Sequence, residues 1–185
     1  TYPQERAAIE LTETLATSDA VSRLLLFQGI KTEATELSSL ARNKISIVRG
    51  NLFSGSGVNQ VLDGCAADYL LFCLPGEQIQ PGQRGVERFV SAAEDSDAGL
   101  IYSDFQDDDG NQTADHPLLD YQLGSIRDGF DFGPVSLISK RAAELAVQNH
   151  GFVDKSLESA GLYDLRLKLS IDSGILRIPE PLYTR

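Results

Sequence analysis

The sequence predicts an α/β domain in which a mainly parallel central sheet is flanked by helices, and three observations carry that expectation. Short apolar runs alternate from end to end with segments whose apolar residues recur at helical spacing. At 185 residues the chain can bury one sizeable core and is short for two. The hydrophobic and charged fractions, 42% and 23%, are those of a globular protein. Strand–helix alternation of this kind is what a parallel sheet covered on both faces requires.

The elements follow in order. Pro3 suits a first helical turn, and Ala8, Leu11 and Leu15 continue one face. Leu24–Phe27 reads as a buried strand, residues 32–42 as a polar helix, and Ile45–Val48 as the next strand, stopped by Gly50. Ser54-Gly55-Ser56-Gly57 opens a helix with Val58, Val61, Leu62 and Cys65 on one side. Residues 69–74 form the most apolar strand, ended by Pro75-Gly76. Residues 85–93 read as a helix and 100–102 as a strand closing in Ser103-Asp104. The strands near 24–27, 45–48, 69–74 and 100–102 are expected to be adjacent or nearly so. Residues 106–133 are polar, acidic and rich in glycine, a long functional or mobile loop. A strand over 135–138, a helix through Ala142, Leu145 and Ala146, a helix over 157–169 and an extended tail over 175–183 complete the chain.

Charge and composition exclude several classes. A net charge of −11 opposes both nucleic acid, whose binding rests on cations neutralising phosphates, and anionic membrane surfaces. No apolar run reaches the roughly 18 residues of a membrane span, and residues 1–6 lack the apolar core of a signal peptide. Cys65 and Cys73 fall on apolar positions and read as free thiols of a reducing compartment. With His116 and His150 they make no zinc pattern. The expected location is the cytoplasm.

Three segments together resemble family-2 glycosyltransferases. The first is Gly55-Ser56-Gly57-Val58-Asn59-Gln60 through Asp68-Tyr69-Leu70-Leu71-Phe72. The second runs from Pro81-Gly82 to Ala98-Gly99-Leu100-Ile101-Tyr102-Ser103-Asp104. The third is Gly151-Phe152-Val153-Asp154, Tyr163-Asp164-Leu165-Arg166-Leu167 and Ile178-Pro179-Glu180-Pro181-Leu182-Tyr183. Residues 120–133 also resemble a subgroup of such proteins encoded by gut Bacteroidetes. The resemblance implies one domain over 1–185, a Rossmann-like nucleotide-diphosphosugar transferase fold, and a first strand that would precede Thr1. It further implies transfer of a sugar, with inversion, from a nucleotide-diphosphosugar to the hydroxyl of a carbohydrate or lipid-linked acceptor, as in polysaccharide biosynthesis.

The chain departs from that pattern where the chemistry lies. The family's metal-binding Asp-x-Asp falls on Leu74-Pro75-Gly76, with Glu77 just after it. Leu and Gly side chains supply no oxygen to a Mg2+ or Mn2+ that would neutralise the leaving diphosphate. The catalytic-base carboxylate falls near Gly161-Leu162, and the acidic residue that reads the base of the nucleotide is replaced by Gln28 or shifted.

The remaining candidates each have a plainer alternative. Asp104, at a strand end where open α/β sheets bind ligands, either takes over metal or sugar binding or caps a turn. Asp107-Asp108-Asp109-Gly110 lacks the spaced ligands and closing Glu of a calcium loop, and a solvated turn fits it better. Arg127 is placed to clamp a diphosphate without a metal, Tyr121 to stack on a ring, and Asp128 and Asp131 to accept sugar hydroxyls. Alternatively Arg127 pairs within the loop and the aromatics anchor it. Asp164 is the best remaining base, with Glu158 behind it. Gly55 and Gly57 permit a close backbone approach or a tight turn. The rivals to an enzyme are a catalytically silent sugar- or nucleotide-binding module and a protein-interaction domain.

Overall fold

A computed structural model of the protein describes residues 3–27, 38–74, 78–126 and 130–185. Along them run α1 (Pro3–Thr17), β1 (Leu24–Phe27), α2 (Ser39–Lys44), β2 (Ile45–Val48), α3 (Gly55–Gly64), β3 (Tyr69–Cys73), β4 (Gln80–Pro81) and α4 (Gly85–Ser96). Then come β5 (Leu100–Asp108), β6 (Thr113–His116), β7 (Val135–Ser139), α5 (Lys140–His150), α6 (Gly161–Asp172) and β8 (Ile175–Thr184). Three helices start at serines. Ser38, Ser54 and Ser139 each accept a bond from the amide three residues on, at 3.2, 3.0 and 3.4 Å, which satisfies a donor the helix itself leaves free.

The α/β class and the helix-flanked central sheet hold. The sheet is mixed rather than mainly parallel. β1 and β2 pair in parallel as a two-stranded unit, while the larger sheet has the order β3-β7-β5-β8-β4, with β6 hairpinned onto β5. β3 and β5 both lie antiparallel to β7, and β8 lies parallel to β5, so β3, β5 and β8 point one way. β7 separates β3 from β5 and is buried along Val135–Ile138. Its direction fits the connection: β5 ends at the carboxyl edge, residues 118–120 are fastened there, and β7 enters from that edge.

Direct register partners share a face of a sheet. One such row crosses four strands: Phe72 pairs with Ser136, Ser136 with Tyr102, and Tyr102 with Arg177. Phe130 and Phe132 cover it, with ring centroids 6.3 and 5.1 Å from Tyr102, and α6 reaches it through Arg166. On the opposite face Leu71, Cys73 and Val135 meet Val86 and Phe89 of α4 and Leu15 of α1 around a 20 Å³ cavity. Burial there pushes the Cys73 thiol up to about 12, so it packs as a small hydrophobe.

Several boundaries differ from the sequence reading. The helix expected over 157–169 starts at Gly161, and the extended tail is a full strand, β8. Of the helix expected over 32–42, residues 32–37 lie outside the described residues. The loop expected from Gln106 holds the β5–β6 hairpin. There Asp108 accepts from the Gly110 amide, and Asp109 accepts from those of Asn111 and Gln112, at 2.8–2.9 Å, so this acidic run is a turn.

The start of α3 is locked to the segment before α6. Asn59, buried in α3, donates to the Val153 carbonyl at 2.7 Å and accepts from the Val153 amide at 3.1 Å. Gly55 donates to the Leu157 carbonyl at 2.8 Å, and Gly161 to that of Phe53 at 2.7 Å. A methyl at Gly55 would collide with the Asp154 carbonyl. Gly55→Ala is therefore expected to cost about 1–3 kcal/mol, read as a lower urea midpoint at unchanged slope. Gly64→Ala, whose methyl meets nothing within 4 Å, should be neutral or stabilising by up to about 1 kcal/mol. An unmoved midpoint for Gly55→Ala contradicts this packing.

Candidate functional site

The site grows from an irregular stretch of the β5–β8 ladder. Pro179 and Pro181 have no amide to give to β5, and the register shifts at Ser103/Asp104 and again at Asp104/Gln106. Asp104 lies at that bulge, 8% exposed, next to Arg177 in the row of residues described above. Arg177 binds it with both arms: Nε to Oδ1 and Nη2 to Oδ2, each at 2.7 Å. The third guanidinium nitrogen reaches Asp120 at 3.0 Å, and the Leu118 amide donates to Asp104 Oδ1 at 2.9 Å. Tyr102 adds a bond from its hydroxyl to the Leu119 carbonyl at 2.5 Å. The segment 118–120 is thus fastened to the sheet by charge and by backbone.

Burial alone would raise the Asp104 pKa. The Arg177 guanidinium and the Leu118 amide outweigh it, and the carboxyl titrates below its ordinary value. Arg177 is correspondingly raised by Asp104. A divalent cation held by Asp104 does not fit this arrangement. Both carboxylate oxygens already serve a guanidinium, and among the described residues no three of His, Cys, Asp and Glu come together as a metal set. Leu74, where the aligned motif begins, gives its amide to the Pro134 carbonyl at 2.8 Å, while Pro75, Gly76 and Glu77 lie outside the described residues.

The other sequence candidates divide into three groups. Gly55 and Gly57 do permit close backbone approach, and what approaches is protein: the Asp154 carbonyl at Gly55 and the Asn51 carbonyl at Gly57. Glu158 is exposed, with its carbonyl held by the Asn51 amide side chain at 2.9 Å. Asp164 stands in the first turn of α6 and binds Lys168 at 2.7 Å, whose ammonium also reaches the Phe152 carbonyl at 2.9 Å. Tyr121 and Asp131 belong to the covering loop. Tyr121 stands edge-on to Phe130 with centroids 5.9 Å apart, and its buried hydroxyl finds no partner among the described residues. Asp131 accepts from the Gly133 amide at 2.7 Å. Gln28, Arg127 and Asp128 lie outside the described residues.

Two arginines matter that the spacing of motifs did not single out. Arg177 is a lone charge in Ile175-Leu176-Arg177-Ile178, and a charge inside an apolar strand calls for a buried partner. Arg166, on α6, lies over the Phe132 ring at 4.8 Å and reaches Ser136 Oγ at 3.4 Å. What the arrangement offers is a set of polar groups gathered at the carboxyl end of β5, with Arg166 and Ser136 on the same sheet face. Residues 118–120 are fastened there, on the side where open α/β sheets bind ligands.

Neither a family model nor a curated protein matches the chain in sequence. In structure it is similar to S. aureus TarS 1-349 in complex with UDP, with a TM-score of 0.69 at 12% identity, covering 100% of this chain and 58% of that one. TarS 1-349 in complex with UDP-GlcNAc gives 0.65 at 11% identity, over 100% and 56%. The 4-diphosphocytidyl-2C-methyl-D-erythritol synthase of Anaerococcus prevotii DSM 20548 gives 0.51 at 10% identity, over 94% and 75%. Likeness at such identity is likeness of fold. The chain has a nucleotide-diphosphosugar transferase-like fold and spans 58% of the length of the TarS 1-349 chain.

A carboxyl held below its ordinary value contributes stability that is present above that value and is lost as pH falls through the folded one. Asp104→Asn should cost about 3 kcal/mol at pH 7, the scale for breaking a buried pair. The gap between wild type and variant should then narrow as pH drops below the ordinary carboxyl value of 3.8. Parallel wild-type and variant stability curves between pH 7 and pH 3 contradict the assignment.

Proposed function

We propose that the chain binds a nucleotide-diphosphosugar at the carboxyl edge of its sheet, as the donor domain of a glycosyltransferase. The observation that supports this best is the pinned segment at Leu118–Asp120. A long polar loop is fastened by buried charge across the edge where this class of fold takes its ligand, and packing alone does not call for so many different polar groups there. The reading draws on fold analogy, and a fold by itself does not fix a function. UDP in S. aureus TarS makes a uridine nucleotide the first donor to try.

Inverting transfer then needs a base on the acceptor hydroxyl and stabilisation of the departing diphosphate. Asp164 is the carboxylate nearest the aligned base position. To act, it must exchange its contact with Lys168 for the acceptor. Arg127 would help stabilise the departing diphosphate, Asp128 and Asp131 would accept sugar hydroxyls, Tyr121 would stack on a ring, and Gln28 would meet the base of the nucleotide. The Asp104–Arg177 pair would hold the loop without touching donor chemistry.

A second reading, a silent nucleotide- or sugar-binding module, is favoured by one observation: Lys168 occupies Asp164, and Gly161-Leu162 stand at the aligned base position. Both readings share the binding step and part at turnover. Calorimetric titration with UDP and UDP-GlcNAc, in Mn2+ and in EDTA, addresses the first. Saturable binding is expected, with affinities in the two buffers agreeing to within about twofold, or 0.4 kcal/mol. Binding that requires Mn2+ contradicts a metal-independent site, and no binding to any nucleotide sugar removes the proposal. For the second step, UDP release in the presence of carbohydrate acceptors should fall at least about a hundredfold in Asp164→Asn. Release that is absent in wild type selects the silent module.

A further inference from the structure

We propose that Arg166 is the cation that takes the phosphate groups of an anionic ligand, standing in for a metal. This rests in part on the nucleotide-sugar reading above, and it is tested so that the two can fail separately.

Arg166 lies two residues beyond Asp164 on α6, on a different face of the helix, and is directed at the sheet. Its Nη2 donates to Ser136 Oγ at 3.4 Å, a long contact, and its guanidinium lies over the Phe132 ring at 4.8 Å from the centroid. Its Nε is enclosed and meets no acceptor among the described residues. Asp131 is the carboxylate whose charge reaches it, yet that side chain turns back to the Gly133 amide. Burial pushes the guanidinium down to about 10, which leaves it charged at neutral pH.

The contrast with Arg177 is the argument. Two arginines serve the same sheet face. Arg177 engages Asp104 through two nitrogens and Asp120 through a third. Among the described residues, Arg166 has one weak neutral acceptor and an aromatic face. A buried donor without a partner is uncommon in native proteins, and an unpaired buried charge more so. If Arg166 served stability alone, Met or Leu would fill the same space at less cost, since its role against Phe132 is one of packing. A guanidinium with free N–H groups matches phosphate oxygens with its fixed fork of donors. The residue is half-buried rather than sealed, at the level of Phe72, near the carboxyl end of β3. The aligned metal motif begins just beyond that strand, at Leu74. Charge that a dication would supply there is supplied by this side chain.

The test compares wild type, Arg166→Met and Arg166→Lys against three probes by calorimetry: inorganic pyrophosphate, UDP and uridine. Arg141→Ala, which removes an exposed partner of Asp97, is the control. Arg166→Met should weaken pyrophosphate and UDP at least about tenfold, leave uridine unchanged, and keep or raise the melting temperature. Arg166→Lys, a point charge without the fork, should fall between. Unchanged UDP and pyrophosphate affinity in Arg166→Met, or a fall in melting temperature alone, overturns the proposal while the nucleotide reading stands. Pyrophosphate binding lost in Arg166→Met, with no binding of UDP by wild type, upholds the anion site and overturns the nucleotide reading. Wild type that binds none of the three overturns both. If Arg166→Met fails to fold, full pyrophosphate affinity in Arg166→Lys overturns the fork, and partial loss supports it.

Discussion

The ion pair between Asp104 and Arg177 is the constraint on which the rest of this edge of the molecule depends. Two prolines in β8 interrupt its ladder with β5, and an interrupted ladder in a buried position leaves polar groups to satisfy. The chain answers with a two-armed charged contact at the bulge. The same carboxylate then takes the Leu118 amide, and the same guanidinium takes Asp120. Desolvation opposes such a pair, and it persists because every strong donor and acceptor in it is matched. Removing one member would strand the other and release residues 118–120 from the sheet.

That arrangement changes how the acidic character of the chain should be understood. With a net charge of −11 the surface as a whole repels a diphosphate. Charge is screened over roughly 8 Å at physiological ionic strength, however. Recognition of an anion therefore depends on the few cations close to it and not on the overall balance. Arg177 is neutralised by its own carboxylates, so its charge is not available to a ligand. Arg166 retains its charge, close to the carboxyl end of β3. A fold of this kind can shed its metal carboxylates and still present positive charge to a phosphate, provided that a guanidinium is held without a partner. Such a group costs stability, which is a common signature of a functional site.

Much of the scaffold was legible because it rests on local periodicity. The apolar runs at Leu24–Phe27, Ile45–Val48 and Tyr69–Cys73 became strands, the helix at Gly55 began where its serine–glycine run put it, and helical spacing marked the one at Gly85. The direction of β7 was not legible, because an apolar run of four residues carries no information on which edge it enters. The β5–β6 hairpin was hidden by its own acidity: Asp107 and Asp108 read as loop, although β5 carries them and Asp107 is matched by Arg185 at 2.7 Å. Asp104 was visible as a residue of consequence, but its partner lies 73 positions away, and no spacing rule reaches that far. The glycines at 55 and 57 signalled close approach correctly in kind. Only the structure tells that the approaching group is the Asp154 or Asn51 carbonyl.

The central claim is that the carboxyl edge of the sheet, where Asp104 and Arg177 fasten residues 118–120, is where an anionic ligand sits. Amide hydrogen exchange with and without saturating UDP tests it most directly. Protection is expected in residues 118–133, in the first turns of α3 and α6 and at the end of β3, with α1 and the β5–β6 hairpin unchanged. Protection confined to the groove between α1 and β4, or uniform across the chain, would contradict the account.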